Sequence, residues 1–361
     1  MPNPLRICVI GSGPAGMYTS SYLSLHLKRD YLIHIYEKLA LPFGLIRYGV
    51  APDHISIKNI ANKFNKILMN DKIKLLTNHC IHDLSQLSSY DAIVLAYGAN
   101  LNKQLNIMNE SLAIDARDFV GWYNSHPNCT STPDLNTESS VILGMGNVAL
   151  DISRILLCNP DSLINTDINR NALSALVQGK IKHVHICGRR GPKNIAFTTR
   201  EFRDLMKLDI DFHTDSTLIK QQLDDPNIDR PKSRLLELIY KNSLKDKIHE
   251  KSLHLHFHLN PLQVIQEAGS PTGIRFQNDQ VIKSKLIIKS IGYAIDAIKG
   301  VEITGDRIAN DCGRVSPGVY VSGWLKRGPT GVVATTMNDS FETAQTLIDD
   351  LDIYLYCALI F

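Results

Sequence analysis

The sequence lacks three features that would each point to a particular class of protein. None of its seven cysteines lies in a CxxC pair, which argues against a redox-active dithiol and against a cysteine-bound iron–sulfur cluster. It has no run of about 18 apolar residues, so we expect no transmembrane helix. The formal net charge is only +3 and 44% of the residues are hydrophobic. We therefore expect neither a disordered tail protein nor a nucleic-acid-binding protein.

The length of 361 residues predicts about two domains at roughly 150 residues each. An odd number of cysteines in a chain of this size indicates a reducing compartment with mostly buried thiols. A strand-like run begins at Leu5, so we expect no signal or transit peptide in front of it.

A glycine-rich motif follows this first run. Residues 5–10 predict a buried strand, Gly11-Ser-Gly-Pro-Ala-Gly16 comes next, and a helix is predicted from about Pro14 to Lys28. A second strand is predicted at residues 31–36, with Glu37 at its end. This βαβ order predicts an α/β fold with a doubly wound parallel sheet.

The chemistry of the motif favours a dinucleotide. Gly11 permits a tight turn, Gly13 lets the backbone approach a pyrophosphate, and Gly16 lets the helix pack on the strand. The helix N-terminus offers free N–H groups to phosphates. Glu37 would accept hydrogen bonds from an adenosine ribose and repel a 2′-phosphate, so the site predicts FAD or NAD. The alternative is a glycine turn without a ligand.

A second glycine-rich unit has the opposite charge at its end. The motif Gly144-Met145-Gly146-Asn147-Val-Ala149 follows a predicted strand, and the next strand ends in Arg189-Arg190. Paired guanidinium groups suit a phosphate dianion, so this unit predicts NADP(H). A solvated basic turn is the alternative. Together the two units indicate a flavoprotein that exchanges hydride with NADP(H).

Two further regions have less specific patterns. Residues 209–251 are polar and predict loops with one helix at residues 233–243. His254, His256 and His258 alternate, so in a strand they would share one face. The apolar residues between them favour a half-buried strand over a zinc site, and no metal is predicted.

Several longer stretches resemble the adrenodoxin reductase family, the FAD-containing mitochondrial NADPH:ferredoxin oxidoreductases. The similarity extends from about Leu5 to Asp350, although the chain is shorter than typical members. The matching stretches are residues 37–54 (EKLALPFGLIRYGVAPDH), 141–151 (VILGMGNVALD), 188–192 (GRRGP), 196–201 (AFTTRE) and 322–341 (SGWLKRGPTGVVATTMNDSF).

The resemblance implies two Rossmann-like domains in a glutathione-reductase-like arrangement. The FAD domain would be discontinuous, with residues 1–105 and 290–361, and the NADP domain would cover residues 106–289. The resemblance places FAD along Gly11, Gly13, Ala15, Gly16, Glu37, Leu45, Ile81, Trp324, Gly331, Val332 and Val333. It places NADP(H) along Gly144, Met145, Gly146, Asn147, Arg189, Arg190 and Glu201, with Gly331 touching both cofactors.

Three polar residues are expected around the hydride-transfer site: His54, Asp151 and Glu201. Because hydride transfer needs alignment more than acid–base help, we assign them positioning and proton management. The alternatives are structural, since His54 could cap the helix that follows it and Asp151 could bind helix amides.

The resemblance implies a small acidic [2Fe–2S] ferredoxin as electron acceptor, docked on Arg203, Arg230 and Arg234. A solvated helix start is the alternative for these arginines. The family implies a monomer in the mitochondrial matrix or a mitochondrion-derived organelle, serving iron–sulfur cluster assembly; a cytosolic location stays open. Two other functions stay open, a general NADPH diaphorase and a non-catalytic FAD/NADP-binding redox sensor.

Overall fold

The computed structural model describes residues 3–129 and 131–360, with side chains through residue 352. Its strands are β1 (Leu5–Ile10), β2 (Tyr31–Tyr36), β3 (Ile73–Leu76), β4 (Ala92–Leu95), β5 (Leu101–Asn102), β6 (Ile114–Asp115), β7 (Ser139–Leu143), β8 (His183–Cys187), β9 (Asp211–Thr214), β10 (Ser252–His256), β11 (Pro261–Glu267), β12 (Ser270–Phe276), β13 (Val281–Lys283), β14 (Leu286–Lys289), β15 (Tyr293–Ala294), β16 (Ile303–Thr304), β17 (Arg307–Ile308), β18 (Arg314–Ser316) and β19 (Val319–Val321).

The α-helices are α1 (Pro14–His26), α2 (Leu45–Tyr48), α3 (Ile55–Lys58), α4 (Ile60–Ile67), α5 (Ala116–Tyr123), α6 (Asn147–Leu157), α7 (Arg170–Gln178), α8 (Thr199–Leu205), α9 (Ser216–Leu223), α10 (Arg230–Ser243), α11 (Trp324–Arg327) and α12 (Val333–Ile360). In the described part of the chain, we find no helix with the length and apolar character needed to cross a bilayer.

The chain divides into two compact units. The first contains Met1–Val50, His54–Asn102 and Tyr293–Phe361, and the second contains Ala51–Asp53 and Lys103–Gly292. The predicted α/β class, with two parallel sheets and an interrupted first unit, is confirmed.

The first unit is built on a six-stranded sheet in the order β18-β19-β4-β1-β2-β3. All neighbours pair in parallel except β18 and β19. The central strand β1 is apolar and almost fully buried, as expected for a parallel sheet covered on both faces. Chain order reverses between β1 and β4, which makes their carboxyl ends the switch point where ligands bind in such sheets.

The second unit repeats this plan. Its six-stranded sheet has the order β6-β14-β7-β8-β10-β9, with every neighbouring pair parallel. Here the chain order reverses between β7 and β14. A three-stranded antiparallel sheet, β11-β12-β13, belongs to the same unit and packs its apolar residues with those of β7 and β14.

The prediction for residues 209–251 was wrong in part. The helix there begins at Arg230, three residues earlier than predicted, and the strand β9 and the helix α9 precede it. Strand β9 is short and polar, so its sequence has no apolar run. It forms because its backbone pairs in parallel with β10 at the edge of the sheet.

Candidate dinucleotide sites and the charged cluster of the second unit

The first glycine-rich turn crosses the switch point of the first sheet. Gly11 has φ +103°, and a Cβ atom added to it would lie 2.6 Å from the carbonyl oxygen of Ala96, just beyond β4. A Cβ added to Gly16 would lie 2.0 Å from the carbonyl oxygen of Gly11. Both positions therefore require glycine for the protein's own packing.

Gly13 differs from these two glycines because its surroundings are open. It is the N-cap of α1 and has an ordinary φ of −68°. No heavy atom of the described residues lies within 4 Å of a Cβ added there. The first turn of α1 contains no acid, so its free amides suit a diphosphate. The missing side chain thus leaves room for a ligand, and the turn fits a dinucleotide.

Glu37 lies directly after β2 and is only 7% exposed. Its Oε2 accepts hydrogen bonds from the Ser12 backbone N at 3.2 Å and the Ser12 hydroxyl at 2.6 Å, and its Oε1 accepts one from the Leu39 N at 2.9 Å. A carboxylate offers about four acceptor positions. The fixed carboxylate therefore keeps capacity for a ribose hydroxyl.

The remaining residues predicted for FAD lie in the same unit. Leu45 begins α2 and is 39% exposed, and Ile81 is half-buried. Ala15 is buried in the first turn of α1, where a Cβ added to Gly323 would lie 2.6 Å from its own.

Trp324 is held by two residues that the sequence analysis missed. Its ring stacks on Tyr293, with centroids 5.4 Å apart and an interplanar angle of 26°. The turn before it is fixed by Asp339, whose Oδ2 accepts a hydrogen bond from the Gly323 N at 2.5 Å. Lys326 pairs with the same carboxylate at 3.3 Å. Asp339 lies within the stretch 322–341, and that was the available signal.

Gly331, Val332 and Val333 lie at the beginning of α12. Gly331 has φ +83°, and Val332 is 50% exposed. The exposed start of a helix of 28 residues presents unpaired amides and a partial positive charge, which suits a ring that gains negative charge on reduction.

The second glycine-rich turn repeats the geometry of the first. Gly144 has φ +122°, and a Cβ added to it would lie 2.1 Å from the carbonyl oxygen of Ser290, just beyond β14. Gly146 is the N-cap of α6, and the described residues leave a Cβ added there without a heavy atom within 4 Å. The same division between a required glycine and an open one occurs in both units.

This turn also positions the loop that leads to α8. The carbonyl oxygen of Met145 accepts hydrogen bonds from the backbone N atoms of Ala196 at 2.9 Å and Phe197 at 3.1 Å. The Asn147 side chain accepts one from the Thr198 N at 2.8 Å. Thr198 caps α8, and Glu201 lies in its first turn. The glycine-rich turn therefore positions Glu201.

Arg189 and Arg190 follow β8 and are both exposed. Among the residues that the structure describes, neither guanidinium forms a hydrogen bond or an ion pair. The first unit has a buried carboxylate at the corresponding strand end, whereas the second has two solvated cations.

A buried charge cluster lies on α6, which begins at this turn. Arg154 is only 4% exposed and bonds both carboxylate oxygens of Asp53 through its Nε and its Nη2, the latter at 3.0 Å. Its Nη2 also donates to Asp151 Oδ1 at 2.9 Å, and its Nη1 lies 3.9 Å from Glu201 Oε2. Burial raises the pKa of Asp151 to about 6 despite the opposing effect of Arg154. Sequence analysis missed Arg154 because apolar residues surround it in the chain.

Two of the predicted catalytic residues, Asp151 and His54, lie at different places in the fold and make different local contacts. Asp151 accepts a hydrogen bond from the Arg154 Nη2 at 2.9 Å. His54 belongs to the first unit, where it is the N-cap of α3 and its carbonyl oxygen accepts hydrogen bonds from the N atoms of Ile57 and Lys58.

The arginines predicted for partner binding are exposed in the second unit. Arg203 lies on α8, and Arg230 and Arg234 lie in the first two turns of α10. Asp229 caps α10 by accepting a hydrogen bond from the Lys232 N at 2.7 Å. Because α10 begins at Arg230, the two arginines on it share one helix face.

The interpretation of the three alternating histidines needs a correction. Strand β10 ends at His256, and His258 has φ +57° in the following turn, so His258 does not continue the strand. His254 and His256 instead face His185 of β8. Burial, with help from the neighbouring imidazoles, lowers the pKa of His254 to about 3 and that of His185 to about 4. These rings are neutral at neutral pH.

Two glycine-rich turns, each at the switch point of its own sheet, are typical of a two-domain dinucleotide-dependent oxidoreductase fold. No family model matches the sequence. The chain is 37% identical over 396 residues to "NADPH:adrenodoxin oxidoreductase, mitochondrial" of Salvelinus fontinalis, covering 96% of this chain and 78% of the relative. It is similar to Mycobacterium tuberculosis FprA in complex with NADPH, at 32% identity and a TM-score of 0.92, covering 99% of this chain and 86% of that one.

The likeness to thioredoxin reductase of Lactococcus lactis concerns the fold alone, with 13% identity, a TM-score of 0.58, and 96% of this chain and 98% of that chain covered. The chain belongs to the NADPH:adrenodoxin oxidoreductase family. The family resemblance stated from the sequence is confirmed, and the relatives are named as mitochondrial enzymes.

Proposed function

We propose that the chain is an NADPH-dependent flavoprotein that passes electrons from NADPH, by way of FAD, to a [2Fe–2S] ferredoxin. One observation carries the proposal. Both units have an open glycine at a switch point, yet Glu37 follows β2 in the first unit, whereas Arg189 and Arg190 follow β8 in the second. A carboxylate excludes a 2′-phosphate, and paired guanidiniums bind it.

The first unit would hold FAD. The open backbone at Gly13 and the free amides of α1 would receive the diphosphate, and Glu37 would bind the ribose. The exposed amides at the start of α12 and the ring of Trp324 would border the isoalloxazine. The proposed contacts are Gly11, Gly13, Ala15, Gly16, Glu37, Leu45, Ile81, Trp324, Gly331, Val332 and Val333.

The second unit would hold NADP(H). The amides at the start of α6 would receive the diphosphate next to Gly146, and Arg189 and Arg190 would bind the 2′-phosphate. Glu201 would lie at the nicotinamide end, which its link to the glycine-rich turn supports. The proposed contacts are Gly144, Met145, Gly146, Asn147, Arg189, Arg190 and Glu201.

When bound, FAD supplies the conversion of a two-electron hydride donor into single electrons. The residues of the chain orient the reacting groups and balance the charge of the buried carboxylates. Arg154 fixes Asp151 next to Glu201 within the second unit. The raised pKa of Asp151, about 6, lets this carboxyl hold a proton close to neutral pH. We assign His54, Asp151 and Glu201 positioning and proton management.

Electrons would leave to a small acidic ferredoxin that docks on Arg203, Arg230 and Arg234. Their exposure on two helices of one unit supports this surface, because local positive charge steers an acidic partner. We further propose that the protein is a monomer in the mitochondrial matrix or a mitochondrion-derived organelle and that its ferredoxin serves iron–sulfur cluster assembly. The mitochondrial names of the relatives support the location.

The test compares two acceptors. The purified flavoprotein should reduce ferricyanide with NADPH alone, and should reduce cytochrome c only when a [2Fe–2S] ferredoxin is added. Arg230→Glu with Arg234→Glu should slow the ferredoxin-dependent rate about tenfold or more, with the loss greatest at low salt. Lys241→Glu, a reversal in the last turn of the same helix, is the control. An equal loss of rate in both assays would show that these arginines do not form the docking surface. If the protein reduced ferricyanide but no ferredoxin, its function would be that of a general NADPH diaphorase.

A further inference from the structure

Five histidines project from one face of the second sheet. They come from three adjacent strands, and the register aligns His254 of β10 with His185 of β8 and with His213 of β9. The ring of His254 stacks on each of these two at a centroid distance of 4.5 Å. All five are half-buried: His183, His185, His213, His254 and His256. The dinucleotide turns use none of them.

Three of these rings come close enough to share one ion. One nitrogen from each of His185, His254 and His256 lies within 4.8 Å of the others. The closest pair is Nδ1 of His185 and Nε2 of His256, 3.1 Å apart. Two ligands on a tetrahedral zinc ion with bonds of 2.0–2.1 Å lie about 3.3 Å apart. The distances therefore suit one ion, but the rings are nearly parallel, with angles of 24° and 23° between His185 and the other two. Binding would require the rings to turn until their in-plane lone pairs converge on the ion.

We propose that His185, His254 and His256 form a site for a divalent transition metal ion, with Zn²⁺ as the ion that fits three imidazoles best. A fourth position would be left to water, because three protein ligands complete only part of a tetrahedron. The ion would replace the contact between His185 and His256. It would join β8 to β10, whose histidines are 69 to 71 residues apart in the chain, and so stabilise the second unit.

Two observations beyond the triad support the site. Ser252 Oγ lies 2.7 Å from Nε2 of His254 and 2.8 Å from Nδ1 of His183, and such bonds fix the orientation of ligating rings. The face also opens into a cavity lined by Thr214, Asp215 and Gln280 together with His213 and His256, which gives an ion a path. Two charged side chains, Lys247 and Asp211, also lie near His213, and their opposite charges act against each other on that ring.

The test uses the full-length FAD-loaded protein, freed of metal with a chelator. Co²⁺ is titrated in as a spectroscopic probe, and Zn²⁺ is then used to displace it. The expected result is one Co²⁺ per chain with the visible d–d bands of a nitrogen-ligated tetrahedral site, and a higher melting temperature with Zn²⁺. His254→Gln and His185→Gln should each weaken binding about tenfold or more, while His249→Gln, an exposed histidine of the second unit outside the three strands, should leave it close to wild type.

The far-UV circular dichroism spectrum and its thermal melt are measured for each variant without metal, so that a variant whose second unit fails to fold is recognised by lost ellipticity or a lost transition. For folded variants the outcomes divide cleanly. Absence of stoichiometric Co²⁺ binding, an unchanged affinity in both triad variants, or an equal loss in His249→Gln would each overturn the proposal. A sulfur-to-cobalt charge-transfer band would do the same, since it would place the ion on a cysteine.

Discussion

Arg154 and Asp151 form a buried ion pair one helical turn apart on α6, with Arg154 Nη2 donating to Asp151 Oδ1 at 2.9 Å. The same guanidinium bonds both oxygens of Asp53. One cation thus ties Ala51–Asp53, a short segment of the second unit, to the helix that begins at its glycine-rich turn. Removal of that cation would take the guanidinium away from both carboxylates, of which Asp151 is the more buried.

Replacement of Arg154 should therefore be costly. We expect Arg154→Met to lower the free energy of unfolding by about 3–5 kcal/mol, the usual cost of breaking a buried pair from one side. Arg154→Lys retains the charge but loses the bidentate geometry, so its cost should be smaller. Urea denaturation of the FAD-loaded variants measures both. Equal stability of Arg154→Met and wild type would mean that the cluster is well solvated.

Asp151 should give stability a specific pH dependence. Burial raises its pKa from 3.8 to about 6, so the folded state binds the proton more tightly than the unfolded state does. The stabilisation from this proton is complete below pH 3.8 and is lost as the pH rises through about 6.

Asp151→Asn stays neutral at every pH and can still accept a hydrogen bond from Arg154. Between pH 4 and pH 7, wild type should lose up to about 3 kcal/mol relative to this variant as the pH rises. Melting temperatures of the two proteins across that range measure the difference. Parallel curves would show that Asp151 has an ordinary pKa.

The two kinds of glycine in the first turn should respond differently to alanine. Gly13→Ala meets no protein atom among the described residues, so the stability of the fold should change by less than about 0.5 kcal/mol. The added methyl group would occupy the space proposed for the diphosphate, and FAD binding should weaken about tenfold or more, or at least 1.4 kcal/mol.

Gly16→Ala should affect the stability of the fold first, because its Cβ would lie 2.0 Å from a backbone oxygen. We expect it to unfold more easily by about 1–3 kcal/mol. Bound FAD per chain and the far-UV circular dichroism melt separate the two effects. Full flavin occupancy and normal affinity in Gly13→Ala would show that the diphosphate does not bind at this turn.

The arginines after β8 should determine the choice of nicotinamide cofactor. Each charge-assisted hydrogen bond to a phosphate contributes about 1.5–3 kcal/mol. Arg189→Gln with Arg190→Gln should therefore raise the KM for NADPH at least tenfold and leave that for NADH almost unchanged. Arg170→Gln, an exposed arginine at the start of α7, is the control. An unchanged ratio of the two KM values would contradict the assignment.

Some of this architecture could be predicted from the sequence, and particular residues show where prediction stopped. The turns at Gly11 and Gly144 were predictable because backbone geometry demands glycine there. Strand β9 was not predictable, because it forms by pairing with β10 and its own composition does not favour a strand. The contact between His185 and His254 depends on the register of strands far apart in the chain. Arg154 lies between apolar residues, and only packing reveals its three carboxylate neighbours.

We propose that one chain holds FAD and accepts hydride from NADPH in preference to NADH. The most direct test is the visible spectrum of the purified protein under anaerobic conditions, titrated with NADPH and separately with NADH. We expect a flavin spectrum that bleaches at low NADPH concentration and only at much higher NADH concentration. A protein that stays colourless after FAD is added, or that bleaches equally with both nucleotides, would contradict it.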